Sequence, residues 1–229
     1  MVVQHCTVGE SLIYMVQEHF LGDSLRKPYE IIPRKCAFLV IDVLNAGHHP
    51  KGALREFVDV KAFDLTVAKI KRVISVCRDR KIPVIFVRCI YRPGGADVGP
   101  FYPMKFGEKW KYLVEGEWNA EVLDELKPNK ADYIVIKRRP NAFYMTDLEV
   151  LLKGLKVDTL VFSGCSTEGC IESTARGAWD RDYKIVYLSD CCASPDPQKH
   201  KSALERVPTL LTGIVMTSSE FVDLVKPKG

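Results

Sequence analysis

DTLVFSGCSTEGCIESTARGAWDRDYKIVYLSD, residues 158–190, holds the pattern that decides the fold. An apolar run, 158–164, stops at Ser163-Gly164, a helix-like segment follows over 168–181, and a second apolar run fills 184–190. Both runs are nearly continuously apolar rather than alternating, which fits strands covered on both faces. Strand, helix and strand in this succession predict two parallel strands joined by a right-handed crossover.

The same pattern extends outward in both directions. CAFLVID (36–42), PVIFVRC (83–89), YIVIK (133–137) and a weaker GIVMT (213–217) read as further strands. Between the first two of these, Phe63, Val67, Ile70, Val73, Ile74 and Cys77 form the apolar stripe of a helix. Other helices are expected over 119–126, 147–153, 198–206 and 219–225. The alternation predicts an α/β fold: a single doubly wound, Rossmann-like domain with a mostly parallel six-stranded sheet and helices on both faces. Residues 1–33 read as an N-terminal extension of helix and linker, and 34–229 as the main domain. One interruption, YRPGGADVGPFYPMKFGEKWKYLVEGEW (91–118), is long and rich in Gly, Pro and aromatic residues. Loops of that length in a compact domain are usually functional, often lids; peripheral packing is the plainer reading.

Composition narrows the function classes. The 229 residues are 47% apolar and 27% charged, enough for a full core. The net charge of +4, from 33 basic and 29 acidic residues, is too mild to argue for nucleic acid or an anionic membrane. No segment approaches the roughly 18 to 20 apolar residues that cross a bilayer. The start lacks the basic region and apolar core of a signal peptide, so a cytoplasmic, reducing setting is expected. The eight cysteines lie mostly in apolar runs and read as reduced, Cys36, Cys77 and Cys89 as small core residues.

In an open parallel sheet, ligands bind beyond the C-terminal ends of the strands, where strand order reverses. Asp42 follows the first run, Lys137 the third, and the turn carrying Cys170 the fourth, so the fold brings all three to one rim. At the start of a helix, Cys170 meets a dipole and unpaired N–H groups that favour an anion, which lowers a thiol's pKa and can form an oxyanion hole. Each residue also has a plainer reading: Cys170 as a packed thiol, Asp42 as a turn-starting cap, Lys137 as the solvated start of the KRR run. Together they supply a nucleophile, a base for its proton and a counter-charge for its thiolate. A redox pairing of Cys165 with Cys170 is the weaker alternative, because four residues separate them rather than the two of a thioredoxin-like motif.

AFLVIDVLN, VIKRRPNAFYMTDLEVLL and DTLVFSGCSTEGCIESTARGAWDRDYKIVYLSDCCAS resemble the isochorismatase-like cysteine hydrolases. The similarity runs from about Pro33 to Thr217, and its most specific part comprises Gly164, Thr167, Cys170, Ser173-Thr174-Ala175 and Asp190. The spacing from Lys137 to Phe143 also fits, with Asn141 where the family has Ser. The resemblance implies Asp42 as general base, Lys137 as electrostatic partner and Cys170 as nucleophile. It further implies a cis peptide between Cys165 and Ser166, and an oxyanion hole made by the backbone N–H groups of Ser166 and Cys170.

Members named for isochorismatase activity cleave a vinyl ether and lack the nucleophilic cysteine, so Cys170 points to C–N bond hydrolysis. Nicotinamidases in the family bind a metal through Asp-x-His and a further His. Here VLNAGHHPKG follows Asp42, and His48 and His49 read as a surface-loop pair, so neither metal nor cofactor is expected. That leaves amidases like N-carbamoylsarcosine amidase, ureidoacrylate amidohydrolase and biuret hydrolase, acting on a small amide, carbamoyl or ureido compound through a thioester-like intermediate. The family's frequent Asp-x-Gln-Asn-x-Phe is Asp42-Val43-Leu44-Asn45-Ala46-Gly47 here, so a common pocket Gln is missing. The alternatives are a non-catalytic relative that binds a ligand or partner through 91–118, and an isochorismatase-type hydrolase. A homo-oligomer, dimer or tetramer, is expected from the resemblance.

Overall fold

The chain builds its sheet outward from the middle. In a computed structural model that describes residues 29–226, β1 (Cys36–Ile41), β2 (Val84–Cys89), β3 (Tyr133–Lys137), β4 (Thr159–Cys165), β5 (Lys184–Ala193) and β6 (Ile214–Met216) make one sheet in the order β3-β2-β1-β4-β5-β6. Every neighbouring pair is parallel. The chain runs from β1 to one edge, then crosses back to place β4 on the other side of β1. That reversal opens a crevice beyond the C-terminal ends of β1 and β4. Residues 1–28 of the expected extension lie outside the described residues, and the expected helix there with them.

Helices cover both faces because the strands are apolar on both. One face is filled by α2 (Lys61–Asp79) and α7 (Ser218–Leu224), with Ile70, Val73, Ile74 and Phe221 packed on Phe38, Phe86 and Val186. On the other, α4 (Leu148–Leu155), α5 (Glu172–Trp179) and α6 (Pro197–Leu210) bring Leu148, Leu152, Ala175, Ala178 and Val207 against Leu39, Ile85, Phe162 and Tyr187. The edge strand β3 departs from the expectation of two covered faces: Tyr133 and Ile134 are exposed, and only the C-terminal half is enclosed.

Two other expectations are corrected. No continuous helix spans 119–126; two short 3₁₀ turns, Trp118–Ala120 and Asp124–Leu126, stand in its place. Tertiary pairing overrides the local pattern there: Glu121 O accepts from Asn45 N at 2.9 Å and Leu123 N donates to Val43 O at 2.9 Å. The segment expected as one helix over 168–181 begins as a π-helical turn, Thr167–Ile171, and becomes α-helical only at Glu172. A widened turn of this kind is frequent at functional sites.

Candidate active site

Asp42 sits one residue beyond β1, in the crevice left by the reversal of strand order. Its φ of 55° is left-handed, a conformation that a short polar residue such as Asp tolerates better than most. Two hydrogen bonds hold it in place: its N–H donates to Val87 O at 2.8 Å, and its Oδ1 accepts from Cys89 N at 2.6 Å. Directly across, β4 approaches β1 at Gly164, whose φ of 114° and lack of a side chain are both required. A Cβ there would collide with the carbonyl of Ile41.

Lys137 ends β3, two strands away, and reaches back over the end of β2. Its side chain is 0% exposed, so the reading of a solvated KRR run is corrected. The ammonium lies 2.8 Å from Asp42 Oδ2 and donates to Cys170 Sγ at 3.0 Å. A buried ammonium needs such a partner, since an isolated charge cannot be taken from water cheaply. Burial alone would push Lys137 down, but its ion pair with the Asp42 carboxylate outweighs it and holds it well above the ordinary lysine range. Arg138 and Arg139 are half-buried, and both turn into the 91–118 excursion, bonding Asp97.

Cys170 lies in the π-helical turn, its sulfur facing Lys137. Thr174, one turn on and fully buried, fixes this stretch by donating to Cys170 O at 2.7 Å and accepting from Ala142 N at 3.0 Å. The expectation of a lowered thiol pKa is corrected. Burial and then the Asp42 carboxylate, which shares the thiol's hydrogen, raise Cys170 well above the ordinary cysteine range, outweighing the lowering by Lys137. An ion pair of Asp42 and Lys137 already neutralises the site, so a thiolate would add an uncompensated buried charge. The resting arrangement is therefore carboxylate, ammonium and neutral thiol, with the base beside the proton it would take.

The peptide between Cys165 and Ser166 is cis. The Cys165 thiol donates to the main-chain carbonyl of Asp42 at 3.3 Å and packs toward Val60, Phe63 and Ala193, which ties the two sides of the crevice together. In the next residue but one, Thr167 Oγ1 is 2.8 Å from His200 Nδ1 of α6. His48 is corrected from surface loop to core: it is 4% exposed, stacks on Phe63 at 5.0 Å, and burial lowers it to about 4. His49 packs edge-on against Trp118 at 4.8 Å. Among the described residues no group of three or more His, Cys, Asp or Glu side chains is placed to hold a metal ion.

Four contributors escaped the sequence reading. Cys89, read as core filler, orients Asp42 through its backbone N–H, and its position at the end of β2 was the available signal. Tyr91 and Tyr102, from the aromatic excursion, form the wall beside it, with ring centroids 5.4 Å apart and the Tyr91 hydroxyl 3.8 Å from Cys89 Sγ. Thr174 belonged to a recognised motif, but its bridging role depends on the path of residues 138–144, which spacing does not reveal.

Known proteins with the same organisation give this geometry a context. The family model described as isochorismatase domain matches residues 36–220. A ureidoacrylate amidohydrolase RutB from Methylobacterium radiotolerans is 30% identical over 198 residues, covering 80% of this chain and 77% of the relative. The protein of the same name from Pantoea ananatis is 30% identical over 212 residues, covering 84% of this chain and 83% of the relative. Among solved structures, a cysteine hydrolase from Pseudomonas syringae pv. phaseolicola superposes with a TM-score of 0.78 at 29% identity, over 87% of this chain and 95% of that one. N-carbamoylsarcosine amidase from Thermoplasma acidophilum gives a TM-score of 0.67 at 25% identity, over 85% of this chain and 99% of that one.

Proposed function

The chain belongs to the isochorismatase domain family, and from that premise we propose that it is a cysteine-dependent amidohydrolase cleaving a C–N bond of a small amide, carbamoyl or ureido compound. One observation carries the reading: the Lys137 ammonium stands 2.8 Å from the Asp42 carboxylate and 3.0 Å from the Cys170 sulfur. A nucleophile, a base and a fixed counter-charge are thus within reach of one another. The relatives named ureidoacrylate amidohydrolase and N-carbamoylsarcosine amidase favour a ureido or N-carbamoyl head group.

In the proposed reaction, Asp42 takes the Cys170 proton as sulfur attacks the carbonyl carbon. The backbone N–H groups of Ser166 and Cys170 receive the developing oxyanion, and Lys137 keeps the deprotonated site from carrying unpaired negative charge. Asp42 then returns the proton to the departing nitrogen, so that ammonia or an amine leaves and a thioester-like intermediate stays on Cys170. Water, deprotonated by the same carboxylate, attacks that carbon, and the thiolate departs and regains its proton. The roles of Asp42 and Lys137 do not exchange, since Lys137 is held charged throughout by its neighbours.

Ammonia release from small ureido and amide compounds tests the proposal, with Cys170→Ala as the control. Loss of turnover by at least about a thousandfold in the variant is expected for removal of a nucleophile. A homo-oligomeric assembly is part of the same proposal, resting on the family resemblance alone.

A further inference from the structure

The turn that carries the nucleophile is held at each end by a threonine hydroxyl. Thr174 secures its C-terminal end through Cys170 O and Ala142 N. Within the turn, Ser166 O accepts from Gly169 N at 3.1 Å and from Ile171 N at 3.3 Å, so the chain closes on itself. Gly169 has no room for a side chain there, since a Cβ would stand 2.6 Å from Ser166 Oγ. The N-terminal end is secured by Thr167, which is fully buried and whose Oγ1 lies 2.8 Å from His200 Nδ1. The proposed reaction makes no direct use of His200.

His200 is itself firmly placed, in the first turn of α6. Asp196 caps that helix, accepting from Gln198 N at 2.9 Å and from Lys199 N at 3.1 Å, and Pro197 takes the first helical position. The cap is tied back to the end of β5, because Asp196 N donates to the hydroxyl of buried Ser194 at 3.1 Å. The imidazole thus reaches Thr167 from a rigid support anchored on the sheet. Burial lowers His200 below the ordinary histidine range, outweighing the pull of Glu168, so the ring is neutral at pH 7. A neutral ring nitrogen and a hydroxyl make one directional hydrogen bond, and a buried hydroxyl deprived of it is driven to find another partner.

We propose that His200 is a positioning residue: through Thr167 it holds the backbone N–H groups of Ser166 and Cys170 where the oxyanion of the attacked carbonyl forms. The inference rests on the amidohydrolase reading and deepens it, since it extends the catalytic machinery to α6. Thr167 directly follows Ser166, so any shift of Thr167 moves the Ser166 peptide with it. Oxyanion donors act only when aimed at the place where charge develops, and a displacement of about 1 Å can cost about a hundredfold. The sulfur is held separately, by Lys137 at 3.0 Å, so the effect of His200 falls on the donors and not on the nucleophile.

The test sets a reaction that builds an oxyanion against one that does not. Ammonia release is measured on the ureido or amide compound that the wild type turns over fastest, and iodoacetamide labelling of Cys170, which displaces iodide at a saturated carbon, is measured beside it. In His200→Ala, kcat should fall about tenfold or more, while KM and the labelling rate stay within about threefold of wild type. His200→Asn, whose amide reaches the position of Nδ1, should recover most of kcat. Thr167→Val should fall as far as His200→Ala, and the double variant no further than either, because both act through one bond. Urea transitions check folding, and His200→Phe, which keeps the ring's bulk without its nitrogens, stands in should His200→Ala not fold. An unchanged kcat in the folded His200 variants, losses that multiply in the double variant, or labelling that falls in parallel with turnover overturns the inference while leaving the hydrolase reading intact. Turnover that survives Cys170→Ala, or no ammonia from any compound with the wild type, overturns the hydrolase reading itself and the inference with it.

Discussion

At the residue scale, the Cys170 thiol is buried between a carboxylate that raises its pKa, Asp42, and an ammonium that lowers it, Lys137. A helix start beside a lysine suggests a low thiol pKa, and the motif alone supports that view. The structure adds burial, which together with the Asp42 carboxylate reverses the sign and raises Cys170 well above its ordinary range. Replacing Asp42 by Asn removes that charge while leaving Lys137 at the sulfur, so the thiol pKa should fall. Alkylation of Cys170 by iodoacetamide at pH 7 is therefore expected to accelerate, by tenfold or more, while amide turnover drops at least about a hundredfold for want of a base. The measurement is the rate of Cys170 labelling by peptide mass alongside ammonia release. Slower labelling in Asp42→Asn would mean that the carboxylate lowers the thiol pKa, contrary to this account.

At the element scale, the site depends on a π-helical turn fastened to the loop after β3. Thr174 makes that connection, bridging Cys170 O and Ala142 N. Thr174→Val keeps the shape but leaves a buried N–H without its acceptor, a loss of about 1–3 kcal/mol. A urea unfolding series should read that loss, and kcat/KM should fall about tenfold as the nucleophile's turn loosens. Thr174→Ser, which keeps the hydroxyl, should recover most of both; a Thr174→Val variant as stable and as active as the wild type would contradict the role given to the hydroxyl. Strands were the legible elements because their buried runs, such as Val84–Cys89, are apolar whatever they pair with. The 119–126 segment was not, because hydrogen bonds to Val43 and Asn45 decide its form, and those partners lie some 80 positions away in the chain.

At the scale of the whole molecule, the sheet order is what makes three distant residues one site. The apolar runs and the helical stripe disclosed the class of fold, and the ends of strands disclosed Asp42 and Lys137. The excursion's path, its grip by Arg138 and Arg139, and the burial of His48 all arise from packing between segments, which no local pattern records. His48 has a global consequence. Burial holds its folded pKa near 4, below the ordinary 6.5, so the unfolded chain takes up a proton first as pH falls. Its contribution to stability is then full above about pH 6.5 and is lost progressively toward pH 4, to the order of 3 kcal/mol. Urea midpoints measured across that range should decline more steeply for the wild-type chain than for His48→Phe, and equal slopes would exclude His48 as a source of the acid sensitivity.

The central claim is that Cys170, flanked by Asp42 and Lys137, breaks a C–N bond of a small ureido or amide compound. Its most direct measurement is ammonia release by the wild-type protein and by Cys170→Ala across a panel of such compounds, with folding of the variant checked by its unfolding transition. The account predicts turnover in the wild type and a fall of at least about a thousandfold in a variant that still folds. Ammonia release at the wild-type rate from folded Cys170→Ala would contradict it.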